Sequence, residues 1–176
     1  MLYIKVPASE LWDERNERFI RTKEQTLCLE HSLVSVSKWE STWCKPFLTD
    51  VVKTTEEIID YIRCMTLTQN VDPNVYFAIT NDNIRQVDDY INNPMTATTF
   101  YDDKDNKANN EIITNELMYY WMFTFGIPID CQKWHFNRLL TLIRVFSAKN
   151  KKPKPMTVQQ RAELNAARKK QYNTKG

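Results

Sequence analysis

Cys131 and His135 stand four residues apart, the spacing that places a thiol and an imidazole on one face of a helix. Such a pair can begin a metal site or an activated nucleophile. A zinc site needs three or four ligands, and the only other histidine, His31, lies about a hundred residues away in sequence. A thiol nucleophile needs an orienting partner and an oxyanion hole as well, and no motif supplies them. The pair therefore reads as structural. Asp88-Asp89 and Asp102-Asp103 with Asp105 are carboxylate clusters of the kind that binds hard cations. The second lacks the central glycine and the bidentate twelfth-position Glu of a calcium loop, so both read as solvated charge.

Only two glycines occur, Gly126 and Gly176. Backbone amides need several glycines to approach a phosphate closely, so no Walker or dinucleotide loop can be assembled here. A G-x-S-x-G nucleophile elbow is equally absent. The expectation is a protein that is not an enzyme and that holds no cofactor and no metal. Cys28, Cys44, Cys64 and Cys131 form no CxxC pair and read as reduced thiols of a cytosolic protein. Leu2–Val6 is too short, and too interrupted by Lys5 and Pro7, to act as a secretory signal. The longest apolar stretch, Leu117–Ile129, falls short of the roughly 20 residues of a bilayer span, which predicts a soluble chain with no membrane partner.

Charge divides the 176 residues sharply. From Lys149 onward nine Lys or Arg residues face one acid, Glu163, a net of about +8. The whole chain carries +2, so the preceding part carries about −6. A segregated basic tail points to binding rather than to chemistry.

The elements that must position these residues follow from periodicity. Leu2–Val6 is a short apolar run, and Thr26–Ser37 alternates apolar and polar with a slip around Glu30–Ser32. That slip reads either as a bulge or as the place where strand gives way to helix. From Thr54, whose capping box with Glu57 precedes Ile58, Ile59, Ile62 and Met65, the period becomes 3.6. Asp72-Pro73 is a second helix start, and Ile84, Val87 and Ile91 form a stripe ending before Pro94. Two stronger helices are predicted over 111–125, closed by Gly126, and 130–149, capped by Asp130. A connection of three to four residues would make them an antiparallel hairpin with Trp121, Trp134, Leu139, Leu140 and Ile143 in the core. Within the first, Tyr119, Tyr120, Trp121, Met122 and Phe123 are apolar on every side, as in a central helix or an interface. Beyond the Lys-Pro-Lys-Pro stretch at 152–155, Val158–Tyr172 is helix-forming but has no continuous apolar face. The prediction is an α+β fold: a small N-terminal antiparallel sheet on a mainly helical body, with a basic helix-forming tail. One globular domain would span 1–150, strand-rich over 1–50 and helical over 54–149, with 151–176 as tail.

Three stretches carry a family resemblance: Leu29–Leu33 with Ser37–Ser41, Asn115–Met122, and Cys131–Leu140. Together with the ending Ala162–Gly176, they resemble the tail assembly chaperones of long-tailed bacteriophages and prophages. That resemblance implies a non-catalytic protein of the host cell cytoplasm that binds the helical tape measure protein and helps recruit tail tube subunits. It also implies absence from the finished virion and, in several relatives, a longer form made by frameshifting. Partner contacts are expected at Tyr119, Tyr120, Met122 and Phe123, and at Arg161, Arg168, Lys169 and Lys170. The alternative is a phage nucleic-acid-binding or head–tail accessory protein that uses the basic tail as its arm, although Tyr172 is the tail's only aromatic side chain for stacking on bases.

Overall fold

Pro7 divides what would otherwise be one long antiparallel ribbon. The computed structural model describes residues 1–13, 17–49, 51–100, 112–150 and 158–172. Strands β1 (Leu2–Val6) and β4 (Gln25–Leu29) pair with Leu2 opposite Leu29 and Val6 opposite Gln25. Strands β2 (Ser9–Asp13) and β3 (Arg18–Thr22) pair with Ser9 opposite Thr22. Three steps forward from Val6 to Ser9 match three steps back from Gln25 to Thr22, so the two ladders share one register. Proline has no N–H to give a ladder, and the break falls at Pro7-Ala8. On the inner face Ile4, Val6, Leu27 and Leu29 are completely buried, while Tyr3 points to solvent. The far edge of β4 is covered by the segment after the second helix: Glu30 N–H donates to Met65 O (2.9 Å) and Leu67 N–H to Cys28 O (2.8 Å).

The alternation read through to Ser37 stops at Leu29. Helix α1 (Leu33–Trp43) follows, opened by a Ser32–Ser35 capping box, so the slip at Glu30–Ser32 marks the change from strand to helix. The strand-rich reading of 1–50 is corrected accordingly. Leu33, Val36, Trp39 and Glu40 lie at three- and four-residue spacing and are all buried, a pattern that the serines between them disguise as period two.

Helix α2 (Thr55–Met65) starts at the expected Thr54–Glu57 box. Asp72 then caps a short 3-10 helix (Pro73–Ala78), and α3 (Asn81–Asn92) begins at a Thr80–Asn83 box and ends before Pro94. Helix α4 (Asn115–Thr124) starts later than the predicted 111; residues 101–111 lie outside the described ones. The helix predicted from Asp130 is also displaced. A 3-10 turn occupies Ile129–Lys133, and α5 runs Phe136–Asn150. The cause is tertiary. His135 forms a β-bridge with Ser32, and Phe136 N–H donates to His31 O (2.8 Å), which holds 134–135 extended.

The predicted tight hairpin is thus replaced by a connection running Phe125–His135. Phe125 stacks on Phe146 (5.8 Å), Leu139 and Ile143 are buried, and Trp121, Trp134 and Leu140 are only partly buried against the core. The core centres instead on α1 and α2, with Trp39 Nε1–H donating to Glu57 O (2.9 Å). The architecture is α+β. Two compact units, Met1–Phe146 and Ser147–Gly176, divide the chain, and the second contains α6 (Val158–Tyr172).

Thr114 caps α4 with no side-chain hydrogen bond; the carboxylate of Glu40, on α1, substitutes. Its Oε2 accepts from Asn115 N–H (2.8 Å) and Nδ2–H (2.6 Å), while Oε1 accepts from Phe47 N–H (2.6 Å). Glu40 is 7% exposed, so truncation leaves buried donors without an acceptor, each costing about 1–3 kcal/mol. Glu40→Ala is expected to lower stability by about 3 kcal/mol or more and the Tm by roughly 6–12 °C. Thermal and denaturant unfolding measure this; a loss below about 0.5 kcal/mol, the range of ordinary surface substitutions, would refute the tertiary cap.

Candidate functional site

Cys131 and His135 do not share a helix face. Cys131 is buried in the 3-10 turn, and His135 precedes α5. The structure instead unites the two histidines, whose ring centroids are 5.1 Å apart at 73°. His31, almost fully buried, bonds through Nδ1 to the Tyr61 hydroxyl (2.5 Å) and contacts the rings of Phe47 and Phe136. His135 Nε2–H donates to Tyr90 O (3.0 Å), which fixes its tautomer. Its Nδ1 is buried and has no hydrogen-bond partner among the described residues, so a proton added there would find no acceptor among them. Tyr90 hydroxyl in turn donates to Glu30 Oε1 (2.7 Å).

Burial, reinforced by His135, pushes the His31 imidazole down to about 3, and burial also lowers His135. Burial drives the Tyr61 and Tyr90 hydroxyls upward and the Cys64 thiol up to about 11, the reverse of activation. Among the described residues no three His, Cys, Asp or Glu side chains converge as a metal site. Asp88 and Asp89 are exposed on α3, and Asp102, Asp103 and Asp105 lie outside the described residues.

The surface features are more informative. A cleft of about 690 Å³ opens between α2 and α3, lined by Phe47, Val51, Ile58, Ile62, Ile84 and Ile91. Lys53 roofs one end: Nζ–H donates to Phe47 O (2.8 Å), and the ammonium lies 4.4 Å from the Phe47 ring centroid. Burial lowers the pKa of that ammonium. A second cleft of about 580 Å³ runs along the neighbouring face of α2, beside Trp43, Ile59, Phe77 and Ile79, with Glu56 and Asp60 on its rim. Val51, Val52 and Phe77 expose 74%, 90% and 65% of their surface. Neither cleft was foreseen. The apolar Phe47, Leu48, Val51 and Val52, set in a connection rather than a helix, were the available signal.

The aromatic helix divides cleanly. Met118 and Met122 are wholly buried, Tyr119 is half-buried with its hydroxyl donating to Gln132 Oε1 (2.9 Å), and Tyr120 and Phe123 are exposed. Met122 therefore has no surface to offer a partner, and its role is in the core. Arg161, Arg168, Lys169 and Lys170 are exposed on α6. Among the described residues no helix is long and apolar enough to cross a membrane. Comparison of the chain with protein-family models, curated proteins and solved structures yields no match.

The histidine pair makes a pH prediction. Both folded-state pKa values lie below the unfolded value of about 6.5, so their contribution is complete above that pH and is lost as pH falls. For His31 the loss should reach about 2 kcal/mol by pH 5, in a window above that of the depressed carboxylates Glu57 and Glu116. Denaturant midpoints measured from pH 7.5 to 5 should fall, and His31→Phe should flatten the slope. An unchanged slope in that variant would count against this reading.

Proposed function

We propose that this protein is a non-catalytic tail assembly chaperone of a long-tailed bacteriophage, acting in the host cell cytoplasm on the tape measure protein. Tail tube subunits are the second partner in this reading. One observation carries it beyond the sequence resemblance. The cleft between α2 and α3 has an apolar floor of four isoleucines, is open to solvent, and is bordered by exposed Val51. A groove walled by two helices suits the apolar stripe of an amphipathic helix, whose anchors recur at i, i+3/i+4 and i+7. A long helical tape measure protein would present such stripes repeatedly. Tyr120 and Phe123, exposed on α4, supply a further aromatic contact.

The nucleic-acid reading is favoured only by the exposed basic side chains of α6, and it differs in salt response. Phosphate contacts weaken steeply as salt rises, whereas apolar docking survives. The test is capture of purified tape measure fragments beside a duplex DNA titration, at low salt and at about 0.5 M, well above physiological ionic strength. Capture should persist at high salt and fall roughly tenfold in Val51→Asp, the equivalent of about 1.4 kcal/mol of lost apolar contact. DNA binding without capture of any tape measure fragment would overturn the proposal.

A further inference from the structure

Helix α6 has an unusual division of faces. Arg161, Leu164, Arg168 and Tyr172 follow one another at three-, four- and four-residue spacing and so lie along one stripe, with Lys169 beside it. The opposite face carries Glu163 with Lys170, and otherwise Gln and Ala. The net positive charge and the large apolar side chains Leu164 and Tyr172 therefore share one side, and all of these are exposed. Arg161 and Arg168 are seven residues apart, about 10.5 Å along the axis. A phosphate backbone would satisfy the arginines but would give Leu164 no apolar seat. The complementary surface is an apolar groove with carboxylates on its rim.

The body of this chain has such a groove. The second cleft is lined by Ile59, Phe77 and Ile79, with the carboxylates of Glu56 and Asp60 one turn apart on α2 outnumbering its one cation, Arg63. Asp60 already accepts from Trp43 Nε1–H (3.0 Å) and lies 3.6 Å from Arg63. Glu56 is exposed and forms no ion pair among the described residues. The unequal charge of the chain, about −6 before Lys149 and +8 after it, favours pairing of one molecule's tail with another's body. We propose that α6 of a second copy docks in this cleft, with Leu164 over Ile59 and Phe77 and with Arg161 and Arg168 directed to Glu56 and Asp60. Such a contact joins two different surfaces, so its repetition builds a closed ring or an open chain. It does not depend on the identity of any other partner.

Complementation tests this. One full-length variant, Arg161→Glu with Arg168→Glu, has a disabled tail and an intact cleft. A second, Glu56→Lys with Phe77→Ala, has a disabled cleft and an intact tail; both positions are exposed, and thermal melts check its fold. Sedimentation velocity on nuclease-treated protein at low salt should show assembly of the unmodified chain that grows with concentration. Its apparent Kd should rise at least tenfold at about 0.5 M salt. Each variant alone should be monomeric, and their mixture should form a 1:1 heterodimer and nothing larger, because one working tail meets one working cleft. An unmodified chain that stays monomeric at about 100 µM, where even a weak contact registers, would overturn the proposal. So would variants that remain monomeric when mixed, or assembly that appears only when nucleic acid is added.

Discussion

The carboxylate of Glu40 ties together three parts of the body through one buried group. It belongs to α1, it accepts the Phe47 N–H that begins the connection to α2, and it accepts two N–H groups of Asn115 at the start of α4. A buried carboxylate is tolerated only when its lone pairs are filled, and here backbone and amide donors fill them in place of a cation. The interaction is therefore directional. It sets where α4 begins, and from there which side of α4 turns Met118 and Met122 inward and Tyr120 and Phe123 outward. It also anchors Phe47, whose ring packs at 4.2 Å on Tyr61 and forms part of the apolar cleft. The geometry of the candidate binding surface thus depends on a polar group that touches no partner.

The two histidines extend the same logic. Each is kept neutral by burial and used for shape: His31 lies among Phe47, Tyr61 and Phe136, and His135 against Tyr90. Both imidazoles pack as polar aromatic side chains, with a tyrosine hydroxyl and a backbone carbonyl as their partners. The reactive-looking pair in the sequence, Cys131 and His135, is separated by the extended Trp134 backbone. The surface open to a partner lies elsewhere, in the clefts flanking α2 and on the exposed stripe of α6.

What could be read from sequence was local. The Thr54–Glu57 box, the Asp72-Pro73 start and the bounds of α6 at Val158 and Tyr172 are set by nearby residues, and each stands where the pattern put it. What could not be read was set at a distance. Helix α1 was hidden because Ser-Leu-Val-Ser-Val-Ser satisfies a period of two as well as one of 3.6, and only burial of Trp39 and Glu40 separates them. The start of α5 is fixed by His31 and Ser32, about a hundred residues earlier in the chain. The clefts are products of packing between helices whose individual stripes were legible. Their apolar contributors from the α1–α2 connection had no periodicity to announce them.

The bond from Phe136 N–H to His31 O also orders events in time. It joins segments about a hundred residues apart, a long-range closure whose entropy must be met before any contact repays it. A ribosome adding 5–20 residues per second takes roughly 5–20 s to travel that span. Throughout that interval the segments of the ribbon and α1 have been made but Phe136, which packs on His31, has not. The apolar side chains of the first 43 residues therefore wait for α5 before their burial is complete, a delay written into the order of the chain.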